Sequence, residues 1–274
     1  MYGVECRILY TFAVANNYIL TLKMKKLFSL TIFLMAAFAY ADAQNIQLHY
    51  DLGHTLYSDL TPRQSVTTTV EMFKPDKWGS TFFFIDLDYK NDGVKGAYWE
   101  IAREFNVSKN KQWAVHVEYN GGAETGETET NYYGNRYQHV ALVGGAWNWH
   151  SNDFRKTFSV QLLWKYYFAN HHRGLRPFNS WQLTEVWSTT FAHGLCTFDG
   201  YWDTWYDKMV DGNIVIQSEP QFWFNLNTIK GWDKIKLSLG SEVELSNNFV
   251  YNENGQHNKF YAIPTVAAKW TFDY

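Results

Sequence analysis

Cysteine is nearly absent from this chain of 274 residues, which holds two, Cys6 and Cys196. Cys6 lies upstream of a leader-like stretch, so an exported chain keeps Cys196 alone. That excludes an intrachain disulfide and a cysteine-based metal site. Net charge is small too. A formal −3 with no Lys/Arg stripe argues against nucleic acid as a partner. Beyond the N-terminus no apolar run approaches ~20 residues, which excludes helical membrane spans in the body of the chain. Catalytic signatures are also missing: there is no G-x-S-x-G elbow and no phosphate-cradling Gly-Lys loop. His171-His172 sits in a loop-like stretch, and Ser188 and His193 stand at no spacing that builds a nucleophile. The reading is of a protein that is not an enzyme and needs no cofactor or metal.

Aromatic rings, by contrast, are abundant. They make up 19% of residues, yet the mean hydropathy is −0.37. A membrane protein built from strands reconciles the two, because alternation places its apolar residues beside polar ones and keeps the mean low.

The N-terminus reads as targeting. "MKKLFSLTIFLMAAFAYADAQ" starts at Met24 with Lys25 and Lys26, runs through an apolar core at Leu27–Phe38, and reaches Ala41-Asp42-Ala43. Those are the three regions of a signal peptide. The expected organisation is an upstream extension at 1–23, a signal peptide at 24–43 with cleavage after Ala43, and a barrel at 44–274.

From Gln44 onward, segments alternate between polar connectors. Ile46, Leu48 and Tyr50 alternate with Gln47, His49 and Asp51; Phe83, Ile85 and Leu87 with Phe84, Asp86 and Asp88. The same pattern sets Trp99 and Ile101 against Glu100 and Glu104, and Trp113, Val115, Val117 and Tyr119 against His116 and Glu118. Phe158, Val160, Leu162 and Trp164 oppose Gln161 and Lys165, and Leu237, Leu239, Val243 and Leu245 oppose Glu242 and Glu244. Period-two alternation marks strands with two unlike faces. Segments near 137–148 and between 180 and 225 alternate less cleanly. About twelve strands result, an even number as bacterial single-chain barrels have, with roughly nineteen residues per strand and connector.

Connectors alternate long and short. "GGAETGETETNYYGNRY", "ANHHRGLRPFNS" and "NNFVYNENGQHNK" are long and polar, whereas "FKPDKWG", "NVSKNKQ" and "FAHG" are tight. A soluble β-sandwich also alternates. It does not explain why Tyr50, Tyr89, Trp99, Trp113, Tyr119, Trp164, Trp270 and Tyr274 gather towards strand ends on the apolar face, as an interfacial girdle does. The terminal "AKWTFDY" alternates almost to the last residue, so the last strand must pair with the first, since an open edge cannot survive in lipid. Pro220 and Pro264 should each mark a bulge or strand end. The fold class expected is an all-β, single transmembrane antiparallel up-and-down β-barrel.

The polar face is acidic. It carries Asp51, Glu71, Asp86, Asp88, Glu100, Glu104, Glu118, Asp199, Asp203, Glu219, Glu242 and Glu244, with Lys165, Lys236, Lys259 and Lys269 as the basic minority. Small barrels fill their interiors with neutralised polar networks that only brace the wall, and any single carboxylate fits that role. The excess of one sign nevertheless favours cations and neutral solutes over anions.

"GAYWEIAREF" (96–105), "SEPQFWF" (218–224) and "GSEVELSNNF" (240–249) resemble the nucleoside-specific outer-membrane channel family, the Tsx-like barrels. The resemblance spans the exported chain; "CTFDGYWDTWY" departs from it. It implies a monomeric barrel of twelve strands passing nucleosides through a narrow lumen of rings and ionisable groups. Carried onto this chain, it points to Glu100, Glu104, Glu219, Gln221, Glu242 and Glu244. With Asp86, Asp88, Glu118, Lys165 and Trp223 these are the candidate pore-lining residues. The expected role is a passive channel in a Gram-negative type of outer membrane. Its surroundings would be membrane lipid and lipopolysaccharide, and the barrel-assembly machinery would read its C-terminal aromatic strand. The alternative is a sealed structural or adhesin-type barrel that binds partners through its outer loops.

Overall fold

The computed structural model describes residues 44–60, 63–90, 93–127, 132–250, 252 and 258–272. The leader, the cleavage point and Tyr274 lie outside them. Fourteen strand segments follow in chain order: β1 (Gln44–Asp51), β2 (Val66–Pro75), β3 (Gly79–Lys90), β4 (Gly93–Asn106), β5 (Trp113–Glu127), β6 (Tyr132–Arg136) and β7 (Val140–His150). Then come β8 (Lys156–Tyr167), β9 (Phe178–Phe191), β10 (Cys196–Tyr206), β11 (Ile214–Ser218), β12 (Gln221–Asn225), β13 (Leu237–Asn247) and β14 (Phe260–Thr271).

Every pairing is antiparallel, and β1 pairs with β14. β6 and β7 both lie along β5, and β11 and β12 both lie between β10 and β13, so the fourteen segments make a closed barrel of twelve staves. The terminal alternation has its explanation in that closure: Ile46 stands opposite Trp270 and Gln47 opposite Lys269.

Pro220 explains the split between β11 and β12. It cannot donate to the ladder, yet Ser218↔Leu245 and Gln221↔Glu242 are in the same register, so the chain continues without a bulge. Gly200 accommodates it. Its φ is +148°, and a Cβ there would lie 2.5 Å from the Glu219 carbonyl oxygen. Pro264 differs from expectation. It lies inside β14, opposite Val243, and its carbonyl accepts from Leu52 N–H, so it neither ends nor bulges the strand.

Cross-strand pairs share a face, which fixes what points outward. The outward set includes Leu48, Tyr50, Ile101, Trp113, Val117, Leu162, Trp164, Val266 and Trp270, all large and exposed. Leu162 is 65% exposed, which suits a side chain facing lipid and not a core.

The interior is not uniformly polar. Val140, Leu142, Leu163, Tyr167, Trp205 and Val215 point inward and pack with Val210 from the β10–β11 connector. Leu60, from the β1–β2 connector, packs on Val250, Tyr261 and Ile263. Phe249 touches both clusters, so an apolar layer spans this end of the lumen. The connectors at this end are mostly the long ones, and β5–β6 extends it as a hairpin. The β2–β3, β4–β5, β7–β8 and β9–β10 turns lie at the other end.

Candidate functional site

Below the apolar layer the lumen holds two polar networks. On one wall, β4, β5, β7 and β8 converge on Glu104. It accepts from Asn148 Nδ2 at 2.7 Å and Gln161 Nε2 at 3.3 Å, and pairs with His116 Nδ1 at 3.3 Å. His116 is 3% exposed, and its Nε2 lies 2.9 Å from Glu118. Two carboxylates therefore clamp one imidazole. Glu100 accepts from Tyr98 at 2.6 Å and Asn120 at 3.1 Å. Tyr98 belongs to a ring ladder running from Phe82 through Phe84 to Tyr137. Lys165 donates to Gln182 at 2.7 Å and lies over the Trp205 ring, its ammonium 4.1 Å from the centroid. Asp86 and Asp88 accept from Thr69 and Thr67 across the β2–β3 pair.

On the facing wall, β1, β11 to β14 and the β1–β2 connector build the second network. Glu242 accepts from Gln221 at 2.6 Å, and Gln221 accepts from Trp223 Nε1 at 3.0 Å. Glu219 accepts from Gln217 at 3.0 Å. Trp223 is fully buried, with the Lys269 ammonium 4.1 Å from its centroid and His49 edge-on. Lys269 reaches Asp199 at 3.8 Å. Arg63, from the β1–β2 connector, places Nε 2.8 Å from Asp51 and Nη2 2.5 Å from Glu244. Burial works against its charge, but the Glu244 and Asp51 carboxylates outweigh burial and hold its pKa above the ordinary value.

Glu100, Glu104, Glu118 and Lys165 thus sit on one wall, and Glu219, Gln221, Trp223, Glu242 and Glu244 on the other, each held by its own contacts. Of the basic residues expected inside, Lys259 instead pairs with Asp59 at the loop end, at 2.5 Å. Two charged residues gave no signal in the alternation. Arg63 lies in a connector, and Glu185 occupies the outward face of β9, opposite Val160 and Trp202. Among the described residues no cluster of His, Cys, Asp and Glu could hold a metal ion. What the arrangement can do chemically is offer acid and amide acceptors, beside rings, to a cationic or neutral solute.

Comparison with solved structures gives distant likenesses. The NanC porin superposes with a TM-score of 0.51 at 9% identity, covering 84% of this chain and 100% of that one. The KdgM porin matches at 10% identity with a TM-score of 0.44, covering 84% and 99%. At this identity the NanC likeness speaks to the fold alone, a closed antiparallel barrel. No curated protein matches the chain. A family model described as "Domain of unknown function (DUF5020)" matches residues 43–272.

Proposed function

The chain belongs to the DUF5020 family, and from its barrel we propose a porin-like channel of the outer membrane that passes small cationic and neutral solutes passively. The acid-lined lumen is the observation that carries this reading. Carboxylates on both walls face Lys165, Lys269 and Arg63, cations among the described interior residues. In a low-dielectric tube such an excess draws cations and turns anions away. Nothing in the sequence suggests an energy source, so flow follows the gradient. The loop end then faces the exterior and the tight turns the periplasm.

Nucleosides are the first neutral solutes to test. They are what the resemblance to the nucleoside channels nominates, and the ring ladder from Phe82 to Tyr137 suits them chemically. A base stacked on one ring is worth ~1–3 kcal/mol. Ribose hydroxyls would donate to Glu100 and Glu104.

A second reading has its own observation. The apolar layer centred on Leu60, Phe249 and Val210 fills the loop end of the lumen, which favours a sealed barrel whose loops bind a partner. Liposome swelling separates the two. Vesicles bearing the refolded barrel should swell in isotonic adenosine, thymidine or arginine and stay unswollen in gluconate. No swelling in any of them would support the sealed barrel.

A further inference from the structure

The lumen wall at β11–β13 stacks acids where like charges should be avoided. Ser218 pairs with Leu245 and Gln221 with Glu242, so Glu219 stands directly across from Glu244. Opposed like charges on neighbouring strands destabilise a sheet. Asp51 closes the group from the connector side, through Arg63. Here the cation comes from the chain itself. Arg63 bridges Asp51 and Glu244 with two different nitrogens of its fork. Planar guanidinium suits such paired carboxylates better than an ammonium does.

Two further features describe a cradle and not a chance ion pair. Asp51 is held by the Gly53 N–H at 2.6 Å, and a Cβ on Gly53 would fall 2.7 Å from that carboxylate oxygen and 3.4 Å from Arg63 Cδ. Glu244 is 6% exposed, and its second oxygen, Oε1, has no partner. A buried carboxylate oxygen left unpaired beside a bound guanidinium is an acceptor awaiting another donor. The Arg63 side chain keeps 24% of its exposure, so solvent reaches the cradle.

The geometry points to a binding site for guanidinium-bearing solutes, formed by Asp51, Glu244 and Glu219 and occupied here by Arg63 as a tethered competitor. The inference depends on the channel reading for how a solute arrives, and on the geometry alone for how it is held. A tethered guanidinium competes at an effective concentration of roughly millimolar. Removing it should therefore expose the site to a free one.

The test is calorimetric titration of methylguanidinium into the refolded barrel in detergent, with compact folding checked by heat-dependent gel mobility. Arg63→Ala should bind methylguanidinium at least about tenfold more tightly than the parent barrel. Adding Glu244→Gln to Arg63→Ala should abolish that binding. Should Arg63→Ala not fold, Arg63→Lys keeps the charge without the fork and should bind more tightly than the parent. An Arg63→Ala barrel that folds yet takes up no methylguanidinium, a Glu244→Gln double variant that still binds, or an Arg63→Lys barrel indistinguishable from the parent overturns the inference. Titration needs no conduction. A barrel that binds but passes nothing sinks the channel reading alone, and one that conducts without binding sinks this site alone.

Discussion

Leu60→Ala tests what docks the β1–β2 connector at the loop end. Leu60 is fully buried against Val250, Tyr261 and Ile263, although it belongs to a connector and not to a strand. Truncation removes three carbons, and at ~0.8 kcal/mol per buried CH₂ that is about 2.4 kcal/mol. The cavity left behind raises the cost towards 2–5 kcal/mol. The loss falls on the docking of the connector and not on the barrel, whose staves are held by their own ladders. Docking weakened by 2.4 kcal/mol means a roughly fifty-fold larger undocked population. Trypsin reports that population by cutting after Arg63, and cleavage of a transiently opened segment tracks the open fraction when reclosing is fast. Barrels in vesicles should be cut after Arg63 roughly fifty-fold faster in the variant, with little change in the temperature at which the compact band is lost. An unchanged rate would refute the docking argument. So would a variant that loses the barrel itself.

Other outcomes follow from single contacts. Glu185 puts a carboxylate on the lipid face of β9, so Glu185→Leu should raise the stability of the barrel in bilayers by about 1–2 kcal/mol, read by urea unfolding. Glu104→Ala leaves Asn148 and the buried Gln161 without their acceptor and should cost about 2–4 kcal/mol in the same assay. Asp76, in the β2–β3 turn, is lowered to about 2 by Arg103 and by the Trp78 and Gly79 N–H groups. A depressed carboxylate stabilises above its unfolded pKa and loses that effect as pH falls through its folded one. Asp76→Asn should therefore lower the thermal midpoint at pH 6, and the difference should fade between about pH 4 and pH 2.

Much of the barrel was legible because alternation is strict where one face meets lipid and the other meets polar groups. β1, β3, β5 and β13 read that way, and each carries the faces its alternation implied. β7 and β9 to β12 were harder for a physical reason. Their inner face carries Leu142, Trp205 and Val215, which pack on Val210, while their outer face carries Glu185, Gly200, Thr204 and Ser218. Apolar residues inside, with small or polar ones interrupting the apolar outer face, blur the period. Arg63 was invisible for a different reason: it meets Glu244 across 181 residues, and no local pattern encodes such a contact. The acid excess itself was the available hint, since buried carboxylates call for a cation.

The acid-lined lumen is tested most directly by the reversal potential of the refolded barrel in a planar bilayer under a potassium chloride gradient. A current whose reversal potential is displaced towards the potassium equilibrium value is the predicted result. Displacement towards the chloride value, or a folded barrel that carries no current at all, would contradict it.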